Sequence, residues 1–409
     1  MGGRKDNGGG RARVVVCHPG KQHVNALLAG LEGRGSLVRF YTMFAANKFW
    51  AIRFFPENWR AMFLKYAFRD IDGARIAHAP VLFFLSKFIG REIWTIRGPY
   101  FLFDKWVAWR LGQEAAFDIV IGYETANLNI FRAAKRQGRV TVLDLAGVHH
   151  HFQNPILAEA GVYTDPGEVA FISRKKDEAL AVTDYVLALS ALGERALLGA
   201  GIARDRIFRT YLGVDLRVFS PKSGYRLDDG GRLELYFVGT LSRRKGLPFA
   251  VSLMEELRRR GLPVHLTLVG PVDDFDPRSL DGALFTHIPF MGHGELAALH
   301  HRLDLFVFPS NMDSWAQTVV EAMACGSPVL VSANTGARDA VEQGGGLVLP
   351  VGDLGAWADA IGAFCADRLL LKEMGEKGAA VAQQYTWDEY QRQVSAAMEE
   401  ILARAGRKP

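Results

Sequence analysis

The sequence predicts an α/β chain built from two Rossmann-like, doubly wound domains that face each other across a cleft, and three observations predict it. Short runs rich in Val, Ile, Leu and Phe recur along the chain: RVVVC, FDIVIGY, RVTVLDL, DYVLALS, LELYFVG, VHLTLVG, LDLFVFP and SPVLVS. Each is apolar at nearly every position, the pattern of strands buried on both faces in a parallel sheet covered by helices. Segments of helical period lie between them, over 22–32, 191–200, 248–260 and 318–325, and several close on glycine, at Gly201, Gly261 and Gly326. Finally, 409 residues are too many for one domain of about 150. The weakest stretch for structure after the N-terminus, SPKSGYRLDDGGR over 220–232, stands between two strand signals and reads as a hinge.

Composition narrows the class. At 49% hydrophobic and 23% charged residues, disorder, collagen and coiled coil are excluded. Cys17, Cys325 and Cys365 lie far apart without C-x-x-C spacing, so no disulfide framework or cysteine zinc site is expected and a reducing, cytoplasmic location fits. The longest uncharged apolar run, near 79–86, is far short of the ~18 residues a membrane span needs. Asp6 occupies the position where a myristoylation signal carries Ser or Thr. The net charge of +5 conceals an asymmetry: residues 1–150 hold 22 Lys/Arg against 11 Asp/Glu, and the remainder 27 against 33. Of 45 aromatics, 19 fall between Tyr41 and Trp109, among them Trp50, Trp59, Trp94, Trp106 and Trp109. The stretch NKFWAIRFFPENWRAMFLKYAFRD mixes aromatics with Lys and Arg as interfacial helices do, although filling a core would use the same residues.

In a doubly wound sheet, ligands bind beyond the carboxyl ends of the strands, so the loops after each run come next. HPGKQH follows the first run, with a tight turn at Pro19-Gly20 before a helix starting near Gln22; Gly20, Lys21 and His23 are candidates for a phosphate or acceptor contact. After RVTVLDL stand His149, His150 and His151. Zinc is not expected there, because three consecutive histidines on extended backbone cannot point to one centre.

GTLSRRKGL, 239–247, follows a buried strand and opens a helix. Gly239 admits a ligand to the backbone, Arg243, Arg244 and Lys245 bring positive charge, and the helix start adds free amides. Solvated surface is the bland alternative, and the Walker pattern is absent. Farther on, Asp313 lies in a loop after LDLFVFP and Glu321 in the helix that follows. Two carboxylates there suit paired sugar hydroxyls, but the spacing alone carries little weight.

Together these stretches resemble the nucleotide-sugar glycosyltransferases of GT-B architecture, in the large retaining group called family four. The resemblance rests on Asp184–Pro221, FVGTLSRRKGL, VHLTLVGPV, IPFMGHGELAALHHRLDLFVFPS and Asp313–Ser332, and covers about residues 180–395. It implies that Glu321 holds ribose hydroxyls and that Lys245 binds the diphosphate. Asp313 stands where the family has its first Glu, near the transferred sugar, and is one methylene shorter. Backbone amides of Trp315, Ala316 and Gln317 would face the diphosphate or sugar, and Gly270 and Met291 the nucleobase. Thr240 replaces the family's arginine, leaving Arg243 or Arg244 to compensate. The family also places a first-domain histidine at a strand end facing the sugar, which implies that one of His149, His150 and His151 faces the cleft, His150 and His149 ahead of His151.

The resulting expectation is a retaining hexosyltransferase that uses a nucleoside-diphosphate sugar and needs no cofactor or metal. Its acceptor domain would be 1–219 and its donor domain 220–385, with a C-terminal helix, 386–409, packing back on the first. A glycan or lipid-linked acceptor is expected, with peripheral contact at the inner membrane face through the first domain and no nucleic acid. A GT-B nucleotide-sugar epimerase and a degenerate glycan-binding protein are the alternatives.

Overall fold

The computed structural model describes residues 11–21, 23–68, 70–88, 98–114, 116–163, 165–227 and 231–406. Gln22 and Trp94, which figured in the expectations above, lie outside them, as do 228–230 of the expected hinge.

Seven parallel strands form the first sheet: β1 (Val14–Cys17), β2 (Leu37–Thr42), β3 (Ile76–His78), β4 (Ile119–Tyr123), β5 (Val140–Leu145), β6 (Tyr185–Ala188) and β7 (Ile207–Arg209). Their order is β3-β2-β1-β4-β5-β6-β7. The second sheet has six: β8 (Leu233–Val238), β9 (Val264–Val269), β10 (Phe285–Ile288), β11 (Leu305–Phe308), β12 (Val329–Ser332) and β13 (Gly346–Leu349), ordered β10-β9-β8-β11-β12-β13. Chain direction across each sheet reverses at one place, between β1 and β4 and between β8 and β11, which opens a crevice at the carboxyl ends there. All eight apolar runs are strands, and their residues are the core: Val14–Cys17 and Val264–Val269 are buried throughout. Such strands need helices on both faces, and Leu247–Arg259, for instance, buries Leu247, Ala250, Leu253, Met254 and Leu257.

The two domains are tied at three places. The C-terminal helix Trp387–Ala405 packs on Val24–Gly33 of the first domain, so closely that a Cβ on Gly30 would come within 2.9 Å of Gln391 Cβ. Gln393 Oε1 accepts from the Tyr211 amide at 2.9 Å, and Arg34 reaches Glu399 at 3.0 Å. Near the cleft, Asp339 Oδ2 accepts from the Ala191 amide at 2.6 Å, and Ser314 Oγ donates to the Ala146 carbonyl at 2.6 Å. The last contact sets the loop after β5 against the loop after β11.

The aromatic stretch does not form one long amphipathic helix. It breaks into 3-10 turns Ala46–Lys48 and Trp50–Phe54 and the helix Glu57–Leu64, with Pro56 directly before that helix. Part of it is core, with Phe44 stacked on Phe83 at 4.6 Å and Phe63 buried, and part is exposed: Trp50, Phe54, Trp59, Met62 and Leu64.

Candidate active site

Two loops build the crevice of the second domain. The first leaves β8 at Gly239 and runs through Thr240, half-buried, to Gly246, where the helix Leu247–Arg259 begins. Gly246 has φ +76, and a Cβ on it would collide with the Pro309 carbonyl, so this turn needs glycine and thereby presses against the second loop. Gly270, at the end of β9 with φ +142, likewise has no room for a Cβ against the Gly239 carbonyl. The second loop leaves β11 through Asn311, whose amide donates to the Arg244 carbonyl at 3.0 Å, to Ala316, φ +65, which caps the helix Gln317–Ala324.

These turns bring Lys245, Arg244 and Asp313 together. Lys245 Nζ pairs with Asp313 Oδ2, and Arg244 Nη1 lies 3.3 Å from the same oxygen and 3.0 Å from the Met312 carbonyl. Asp313 is buried; burial pushes its carboxyl up, but Lys245 and Arg244 outweigh it and hold it below the usual range. Burial, with Arg244 adding to it, pulls the Lys245 ammonium down against the attraction of Asp313. Two cations therefore face one carboxylate, leaving net positive charge at the mouth of a helix. Arg243 turns away: it is exposed, its amide donates to Asp274 at 2.7 Å, and its guanidinium points toward Gly161 of the first domain.

Among the amides expected to face ligand, that of Trp315 is already taken, donating to Asp313 Oδ1 at 3.2 Å, and its indole is buried between Tyr211 and Tyr385. The amides of Ala316 and Gln317 donate to no other group among the described residues. Glu321 lies one turn into the helix, 5% exposed, and burial pushes its carboxyl up to about 7. Gly270 sits beside Gly239, with its amide on the Ile288 carbonyl at 2.9 Å. Met291, after β10, is half-buried against the core.

The first-domain expectations need correction. The three do not share one extended segment: the helix His150–Glu159 begins directly after His149. The three rings cluster, with centroids 4.3–5.3 Å apart, and His150 and His151 both reach Asp177 Oδ1, at 2.9 and 3.0 Å. The argument against convergence therefore fails, and His149, His150 and Asp177 are the one group among the described residues whose ligand atoms could meet at a metal; the bonds to Asp177 already account for the orientation of His150. Both leading candidates are buried and line a small cavity with Glu124 and Lys176. His149 is held neutral, its pKa lowered to about 4 by burial and the neighbouring rings.

The candidates of the HPGKQH loop bond within the first domain. His18 Nδ1 accepts from the Gly20 amide at 3.1 Å, Lys21 Nζ donates to the Lys65 carbonyl, and buried His23 contacts both oxygens of Asp144, at 2.9 and 3.1 Å. His23 and Asp144 thus pin the loop after β1 to β5. Sequence reasoning missed Glu124 and Thr125, just past β4. Tyr163 lies close enough to Glu124 and Arg244 to feel both charges, which puts this corner opposite the second-domain loops.

Residues 226–381 match the family model described as Glycosyl transferases group 1. Curated relatives include a D-inositol 3-phosphate glycosyltransferase of Arthrobacter sp., 32% identical over 43% of this chain and 45% of its own length. Another is a phosphatidyl-myo-inositol mannosyltransferase of Mycobacterium leprae, 30% identical over 39% and 44%. The chain spans about half the length of such relatives. Similar solved structures include a sucrose-phosphate synthase from Thermosynechococcus elongatus, with TM-score 0.68 and 18% identity over 96% of this chain and 100% of that one. Anabaena HepE, in complex with UDP-glucose, gives 0.64 and 15% over 95% and 99%. At these identities the structures establish the fold, which is GT-B.

Proposed function

We propose, from the match of residues 226–381 to the family model described as Glycosyl transferases group 1, that the protein transfers a hexose-type sugar, with retention, from a nucleoside diphosphate to a hydroxyl of a glycan or lipid-linked acceptor. The observation that carries this reading is the convergence of Lys245, Arg244 and Asp313 where the helix Gln317–Ala324 begins. As the diphosphate leaves, negative charge grows on its oxygens and the sugar acquires oxocarbenium-like character. Lys245, Arg244 and the amides of Ala316 and Gln317 are set to compensate that charge, a role preorganised donors fill well in a water-poor crevice. We therefore assign the reaction no metal or cofactor.

Arg244 takes the place of the family arginine absent at Thr240, since Arg243 points to the first domain. Asp313 orients the sugar hydroxyls and Glu321 the ribose. The first domain supplies the acceptor side, and exposed Trp50 and Phe54, with Arg53 over their rings at 5.3 and 4.9 Å, suit an anionic lipid surface. No helix of the described residues is long and apolar enough to cross a membrane.

A thermal-shift screen of nucleoside diphosphates and their sugars tests the reading. A true ligand at about 100 times its dissociation constant adds about 2.7 kcal/mol, and a protein stabilised by none of them does not have this function.

A further inference from the structure

We propose that a second pocket, on the first domain beyond β4, binds a phosphate group carried by the acceptor; this rests on the reading of that domain as the acceptor side. The pocket encloses about 390 Å³, room for a phosphorylated sugar or polyol. Its charge is positive. Arg132 and Lys175 share a single carboxylate, Glu178, at 3.7 and 3.5 Å. Lys105 lies 4.4 Å from the Phe101 ring and meets no carboxylate among the described residues. The one acid in the wall, Asp104, is occupied: it accepts from the amides of Asn129 and Ile130 at 2.9 Å and from Asn129 Nδ2 at 2.7 Å, capping the helix Leu128–Arg136, and burial pushes its carboxyl up.

Two further features point to a ligand. Asn127, 1% exposed, stands in the wall between this pocket and the cavity beside His149, and its buried Nδ2 has no partner among the described residues, a donor whose desolvation nothing yet offsets. Thr125 beside it has φ +74, a costly conformation for a β-branched residue, and such strain persists where surrounding structure enforces it, often at binding sites. Both stand at the carboxyl end of β4, beside the reversal of the first sheet, where a doubly wound domain takes its ligand. Arg132, Lys105 and Lys175 hold the anion, Asn127 donates to it, and Phe101 and Phe171 flank the body that carries it.

The test is calorimetric titration of the full chain with a soluble inositol monophosphate, in the presence of saturating UDP so that the second-domain crevice is filled. In parallel, sedimentation is measured with phosphatidylcholine vesicles with and without phosphatidylinositol. Wild type is expected to bind at least one phosphate source, and Arg132→Ala and Lys105→Ala to weaken that binding by about tenfold or more each. Both side chains are exposed, so melting temperatures should not move. Binding of the soluble ligand identifies a free phosphorylated acceptor, and binding only of phosphatidylinositol vesicles a lipid headgroup. No binding of either, or binding that both substitutions leave intact, overturns the proposal. A protein that ignores nucleoside diphosphates yet binds phosphate through Arg132 and Lys105 would overturn the transferase reading and leave the pocket standing.

Discussion

Glu321 is a carboxyl that the fold moves into the neutral range. Its pKa rises from 4.5 to about 7 because the helix Gln317–Ala324 buries it, so the folded state holds its proton more tightly than the unfolded chain does. The stability linked to this group is therefore complete below 4.5 and is lost as pH rises toward 7, on the order of 3 kcal/mol in all. Glu321→Gln should flatten the fall in melting temperature across that window relative to wild type, and an unchanged profile would show that the carboxyl is not desolvated. Bound ribose hydroxyls would favour the charged form, so donor affinity should rise over the same window in wild type and not in the variant. At Asp313 the sign is reversed, since Lys245 and Arg244 hold it ionised. Asp313→Ala leaves the Lys245 ammonium buried without its partner and should destabilise the apo protein by about 3 kcal/mol, measurable as a drop in the denaturation midpoint.

The two loops after β8 and β11 depend on glycines at the places where backbone meets backbone. Gly246→Ala should cost several kcal/mol, from the positive φ and from the collision with Pro309, and should abolish any nucleotide-induced thermal shift. Full stability in that variant would mean that the loop pair does not pack as described. This level of organisation was well encoded where strands are buried on both faces: all eight runs expected to be strands are strands. Of the five not foreseen, β3, β7, β10 and β13 are sheet edges, short and half-solvated, and so lack the all-apolar signature. The fifth, β2, is interrupted by Arg39, whose guanidinium leaves the sheet to reach Glu114 at 3.1 Å. Site loops divide in the same way. Gly239–Leu247 and Asp313–Glu321 were legible because a helix start and glycine turns fix their direction. His150, Lys21 and His23 were not, because partners far along the chain, Asp177, Lys65 and Asp144, decide where they point. Nothing local announces the strain at Thr125.

At the scale of the molecule, the C-terminal helix is a structural tie between domains rather than a tail. It buries Tyr390, Val394, Met398 and Ile401 almost completely, at ~1.5–3 kcal/mol each, a large share of a typical stability of about 5–15 kcal/mol. Ending the chain before Trp387 should remove cooperative unfolding, seen by calorimetry, and a truncated protein that melts like the full chain would contradict the packing. The first domain carries the basic, aromatic surface and the second the acidic excess, so anionic vesicles should float with the protein at low salt and release it at high salt. Trp50→Ser with Phe54→Ser should remove that flotation; a protein that stays soluble at low salt denies the lipid contact. The central claim, that the crevice beyond β8 and β11 holds the diphosphate of a nucleotide sugar, is tested most directly by the dissociation constant of a nucleoside diphosphate for wild type and Lys245→Ala. The account predicts affinity weaker by about tenfold or more in the variant; equal affinity in the two proteins would contradict it.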